Sequence, residues 1–128
     1  MKILVFGLPG SGKTTFAKKL VENKKIPHFN ADDIRKLFED WDFTETGRKR
    51  QANRMMVMCD LVPKHVVVDF VCPFESYRLF YDITIFMDTI NKGRFEDTNK
   101  VFERPKKATY IITNFEYENI IKEIYDRL

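Results

Sequence analysis

Apolar positions along the chain come in short runs separated by stretches of helical spacing. Residues 2–6 (KILVF) form an apolar run ending at Gly7, the pattern of a buried parallel strand. Residues 13–24 place Phe16, Ala17, Leu20 and Val21 on one helical face with lysines opposite. A shorter strand is expected over 26–30, with Pro27 confining it to a strand start or an edge. A helix over 31–40 follows, entered through the acids Asp32 and Asp33. Residues 42–62 read as a loop and a longer helix, capped by Thr44 or Thr46, with Met55, Met56, Cys59 and Val62 inward. HVVVDFV (65–71) carries the strongest strand signal, and ITIFMD (83–88) and ATYIITN (108–114) supply two more. Residues 89–107 have weak periodicity and read mostly as loop. The last stretch, 115–128, is an amphipathic helix with Ile120, Ile121, Ile124 and Leu128 on one face.

Strands thus alternate with helices throughout. The expectation is an α/β fold with a parallel sheet and right-handed crossovers, one domain over residues 1–128. A chain of 128 residues has enough interior to need no disulfide or metal staple. Cys59 and Cys72 have no metal-ligand spacing and read as reduced thiols, with a disulfide left open. No signal peptide or membrane-length apolar run is seen, so a cytoplasmic protein is expected. The net charge of +3 is too small to argue for a nucleic-acid or membrane surface. Two basic clusters, GRKRQANR and ERPKK, are either solvated faces or local anion sites.

Chemistry enters at Gly7–Thr15, GLPGSGKTT, which satisfies G-x-x-x-x-G-K-[ST] through Gly7, Gly12, Lys13 and Thr14. Glycines let backbone N–H groups close around phosphate oxygens, and the helix that follows points its positive end at the anion. The motif follows a strand and opens a helix, as the cradle requires. The expected ATP-binding residues are Gly10, Ser11, Gly12, Lys13, Thr14 and Thr15, with Thr14 a ligand to Mg²⁺. Asp32 and Asp33 cannot point the same way from a helix start. One is expected to serve as a base or hold Mg²⁺ through water, and the other to cap the helix. Asp69, ending VVVD, is either a second magnesium ligand or a strand-end carboxylate bonded to a loop. His28 and His65 flank strands and offer no evident partner.

Four segments together resemble the adenylylsulfate kinases: GLPGSGKTT, NADDIRKLF, DFTETGRKRQANRM and VDFVCPFESYR. The family's D-G-D-N-[IVL]-R stands here as Asn30–Arg35, and its G-F-S-x-x-D-R-x-E-N-x-R-R runs ungapped from Asp42 to Arg54. Its I-S-P-Y stands as Val71–Phe74, and its late F-T-G-I-D-x-P-Y-E-x-P is degraded over Phe95–Pro105. The resemblance implies a three-layer P-loop kinase fold, a mainly parallel five-stranded sheet flanked by helices. It implies ATP- and Mg²⁺-dependent phosphorylation of the 3′-hydroxyl of adenosine 5′-phosphosulfate. Asp32 falls on the catalytic carboxylate, beside Lys13. Arg35 and Arg48 fall on arginines that contact the nucleotide substrate, and Gln51 replaces an asparagine that does so. Phe43 and Phe95 fall on the aromatics that sandwich adenine, and Val71 to Phe74 on the pocket lining.

The residues agree on chemical grounds, since a purine offers two faces for stacking and arginines suit bidentate anion binding. The family's long basic lid is reduced here to TINKGR, where Lys92 and Arg94 replace part of its charge. The expected partner is a small-molecule nucleotide, with a homodimer left open. A different nucleoside, a polynucleotide end or a small hydroxyl compound remain alternative acceptors. So does a nucleotide-binding switch with little transfer activity.

Overall fold

The computed structural model describes residues 1–128. Its elements run β1 (Lys2–Phe6), α1 (Lys13–Val21), β2 (His28–Asn30), α2 (Ala31–Phe38), α3 (Glu45–Asp60), β3 (Val66–Phe70), α4 (Glu75–Arg78), β4 (Ile83–Met87), α5 (Glu96–Val101), β5 (Tyr110–Ile112) and α6 (Glu118–Arg127). The five strands form one sheet in the order β2-β3-β1-β4-β5, and every pairing is parallel.

Strand alternation divides the core into two halves. Ile3 and Val5 of β1 face α1 and α6, joined by Phe16, Leu20, Ile121 and Ile124. Leu4 and Phe6 face the other way, against Ile34, Ala52, Met55 and Cys59 of α2 and α3. Helices therefore cover both faces of a parallel sheet, a three-layer α/β arrangement. The same alternation puts Asp69 of β3 on the face of Val67, under α1 rather than α3. In the sheet register Asp69 lies level with Asn30 of β2 and Val5 of β1. This is the carboxyl edge of the sheet, where β1 sends its neighbours off in opposite directions and a crevice opens.

Several expectations are corrected. Helix α1 stops at Val21, because Glu22 leaves helical geometry and Asn23 takes a left-handed φ of 58°. Residues 89–107 are mostly loop, as expected, with the six-residue α5 formed inside them. It buries only Thr98, which is why no apolar period announced it. The short α4 was likewise without a period to read. On α3 the core takes Met55 and Cys59 with Met58 against them, while Met56 stays outside that cluster. Of the two candidate caps, Thr44 is the one used: its Oγ1 accepts the Gly47 N–H at 3.2 Å. No helix is long and apolar enough to cross a membrane.

Candidate active site

The loop between β1 and α1 is the first wall. Gly12, at φ 94°, is the cap residue of α1. A side chain there would be strained and would meet the Phe115 ring at 2.9 Å. No side chain caps α1, so its first N–H groups stay available to an anion. Lys13 donates Nζ to the Leu8 carbonyl at 3.0 Å, folded back along the loop. Burial lowers its pKa to about 8, against the opposing pull of Asp69 and Asp32. Ser11 does not reach the cavity wall. It is fully buried below the loop, its N–H bonds Leu8 and its carbonyl accepts from Thr89. Its place is within the loop's own framework.

Behind the loop lies a polar knot. Asp69 is 1% exposed. Its Oδ1 accepts from Thr14 Oγ1 at 2.9 Å and from Asn30 Nδ2 at 3.0 Å. Its Oδ2 meets His28 Nε2. His28 thus has a partner, contrary to expectation, because the β2–β3 register sets it opposite Val67, on the same face as Asp69 two residues along β3. The capping expectation is corrected too. Asn30 caps α2 by accepting the Asp33 N–H at 3.2 Å, so neither carboxylate is used for the cap. A magnesium ion takes oxygen donors and keeps most of its shell as water and phosphate oxygen. Thr14 and Asp69 fit that demand at the mouth of the loop.

The loop opens into one cavity of about 700 Å³. Its near wall holds Lys13, Thr14, Thr15 and Asp69, and Asp32 projects into it from the first turn of α2 while Asp33 does not. Its far wall holds Arg35, Phe43, Arg48, Gln51 and Phe95, with Val71 to Pro73 at the side. Phe74 is not on the wall. As the first residue before α4 it turns away, packing toward Tyr77 and lying under Lys49. Phe43 and Phe95 are half-exposed rather than tucked back, at 46% and 50%. Their rings stand near cations: Arg35 at 4.3 Å and Arg48 at 5.4 Å from Phe43, Arg94 at 5.4 Å from Phe95.

The arginines of the wall are partly committed to the protein. Arg35 Nη1 donates to the carbonyls of Asp40 and Asp42 at 3.0 and 3.2 Å. Arg48 Nε donates to the Phe43 carbonyl at 2.8 Å, and Nη2 to Asp97 and Thr98 of α5 at 3.2 and 3.0 Å. Gln51 gives its amide to the Ala31 carbonyl at 3.0 Å, joining α3 to α2. Arg50 and Arg54 of the GRKRQANR cluster bind Asp40, which holds that carboxyl well below its usual range. That cluster is therefore internal scaffolding on one side and anion-facing only at Arg48. Lys92 pairs with Glu96 and stays off the cavity, whereas Arg94 lines it.

Sequence reasoning passed over three contributors. Trp41 lines the cavity, and Asp97 and Thr98 bring α5 down onto Arg48. Arg78 is buried beside the wall, donating to the carbonyls of Cys72, Pro73 and Glu103. This brace holds Cys72 at a left-handed φ of 45°. Trp41 had a visible signal, a large ring in the polar stretch DWDF; the others had none.

The AAA domain family matches residues 3–66. Adenylate kinase of Lachnoclostridium phytofermentans is 42% identical over 71 residues, 56% of this chain and 31% of that protein. The chain spans about a third of the length of the curated relatives it matches. Among solved structures, the APS kinase of Mycobacterium tuberculosis in complex with AMPPNP and APS superposes with a TM-score of 0.75. It is 19% identical, covering 98% of this chain and 95% of that one. Shikimate kinase of Aquifex aeolicus superposes at 0.68 and 19% identity, over 99% and 95%. At these identities the likeness establishes the fold.

Proposed function

The chain belongs to the AAA domain family, and on that premise we propose that it transfers the γ-phosphoryl group of ATP to the 3′-hydroxyl of adenosine 5′-phosphosulfate. One observation carries the reading: a single cavity joins the phosphate loop, the Asp32 carboxylate and a far wall of aromatics and arginines. The loop N–H groups and Lys13 receive the donor phosphates. Thr14 and Asp69 would hold magnesium, which when bound would spread the charge of the transferring group. Asp32 orients the acceptor hydroxyl and takes its proton. The ring of the acceptor stacks at Phe43 and Phe95, and the free guanidinium N–H groups of Arg35 and Arg48 face its anionic arm. Catalysis then rests on positioning and charge stabilisation, with little covalent work for the protein.

The likeness to a solved APS kinase supports the acceptor, although it is a likeness of fold. The test is ADP release by the purified chain with magnesium and ATP. Release that depends on adenosine 5′-phosphosulfate, with a 3′-phosphorylated product, is expected. Intact ATP binding without acceptor-dependent release overturns it. A second reading, a small hydroxy acid as acceptor, is favoured by the committed arginines. With Arg35 and Arg48 partly spent, the remaining N–H groups match one carboxylate as well as a phosphosulfate arm. Shikimate in the same assay decides between them.

A further inference from the structure

Three half-exposed aromatic side chains stand on one cavity wall: Trp41 at 54%, Phe43 at 46% and Phe95 at 50%. Phe43 and Phe95 have guanidinium groups of the chain near their rings. No aromatic ring or cation of the chain stands against the indole of Trp41. A lone exposed aromatic needs no explanation. This one differs because its backbone is held on both sides. Arg35, itself buried, bonds the carbonyl before Trp41 and the carbonyl after it, those of Asp40 and Asp42. The Asp42 N–H returns to Asp40 Oδ1 at 3.2 Å. Arg50 then ties both carboxylates, through Nε to Asp40 at 2.7 Å and Nη2 to Asp42 at 3.1 Å. The turn is held by these bonds, and what it presents to the cavity is an indole that no aromatic ring or cation of the chain covers.

We infer that Trp41 contacts the acceptor and sets its class, giving the edge of a planar heterocycle held at Phe43 and Phe95 a flat aromatic contact that a saturated hydroxy acid would not reach. The inference rests on the nucleotide-acceptor reading above and sharpens it: the ring of the acceptor reaches the outer wall at Trp41, beyond Phe43.

Trp41 is the chain's one tryptophan, so its fluorescence reports this site alone. Titration with adenosine 5′-phosphosulfate, or with AMP as the unsulfated control, is expected to quench or shift the emission; shikimate is not. In Trp41→Ala the KM for the acceptor should rise about twofold to tenfold, the loss of one edge-to-face aromatic contact. The KM for ATP and kcat should hold within about twofold, and Trp41→Phe should restore most of the acceptor affinity. If the phosphosulfate is turned over while emission and the Trp41→Ala KM stay unchanged, the role of Trp41 is overturned and the proposed function stands. If shikimate is phosphorylated and neither adenine nucleotide binds by calorimetry, both fall, as they do if no acceptor binds. Should Trp41→Ala melt at a much lower temperature, the wild-type titration and Trp41→Phe still decide.

Discussion

The two ends of the cavity are built by different means. The donor end comes from one contiguous stretch, Gly7 to Thr15, and works chiefly through backbone N–H groups at the start of α1. The acceptor end is gathered from α2, the 40–44 turn, α3, the 71–73 wall and α5, and works through side chains. A backbone cradle depends on local φ and ψ, which glycine permits and a short motif encodes. A side-chain wall depends on which segments meet, and some of its members are held by groups distant in sequence. Arg48 shows this best, with Phe43 on one side and Asp97 and Thr98 of α5 on the other.

The largest test of that contrast is chemical. Asp32→Asn should lower transfer by about 10²–10⁴-fold, the scale of a lost general base. ATP affinity, read by calorimetry, should stay nearly unchanged; a parallel loss of both would place Asp32 at the donor end instead.

Two glycine substitutions divide the ends structurally. Gly12→Ala forces a strained φ and meets Phe115, so ATP binding should weaken while the acceptor site is spared. At Gly47 a Cβ would lie 2.7 Å from the Asp42 carbonyl carbon, inside the turn that carries Trp41 and Phe43. Gly47→Ala should destabilise the chain by about 1–3 kcal/mol, the range for forced overpacking, and raise the acceptor KM with ATP affinity retained. Melting curves and the two KM values separate these outcomes, and an ATP defect in Gly47→Ala would break the division.

Lys13 gives a pH signature to the donor end. Its folded pKa of about 8 lies below the ordinary 10.5, because burial disfavours the cation. The charged lysine therefore weakens the unliganded fold below pH 8, and that penalty fades as pH rises from 8 toward 10.5, where the unfolded chain holds the extra proton. Lys13→Met should raise the melting midpoint at pH 7 while stopping transfer. Phosphates beside Lys13 restore its charge, so ATP binding near pH 9 should take up a proton. Calorimetry in two buffers of different ionisation enthalpy measures it; no buffer dependence would refute the assignment.

The smallest effect is expected at Asp97, a mostly exposed partner of Arg48. Asp97→Asn should change stability by less than about 1 kcal/mol, as an exposed ion pair does. It should also improve acceptor KM a few-fold by freeing a donor of Arg48. A weaker acceptor KM would show that α5 holds Arg48 in place rather than competing for it.

Particular residues show how far the sequence could be read. The strand-to-helix setting of GLPGSGKTT, the alternation of β1 and the face of α6 rest on local periodicity, and all appear where expected. Asp32 and Arg35 stand out by their place after the second strand and Phe43 by the family resemblance, and all three reach the cavity. Phe74, expected on the pocket lining, is not there, because the turn into α4 decides which way it faces. Asn30 and His28 could not be assigned, since their hydrogen bonds to Asp69 exist only through the β2–β3 register. Helix α5 buries a single residue and left no period to see.

The sequence by itself therefore determined the alternating α/β order and the phosphate loop, because both follow from local rules of spacing and backbone freedom. The tertiary structure alone decided how the acceptor wall is assembled. It set Arg35 to grip the turn of Trp41, brought α5 onto Arg48 and closed the knot of Asp69 with Thr14, Asn30 and His28. The contacts of Arg48 and Asp69 join segments 39 to 55 residues apart, and only sheet register and helix packing bring such groups within hydrogen-bond reach.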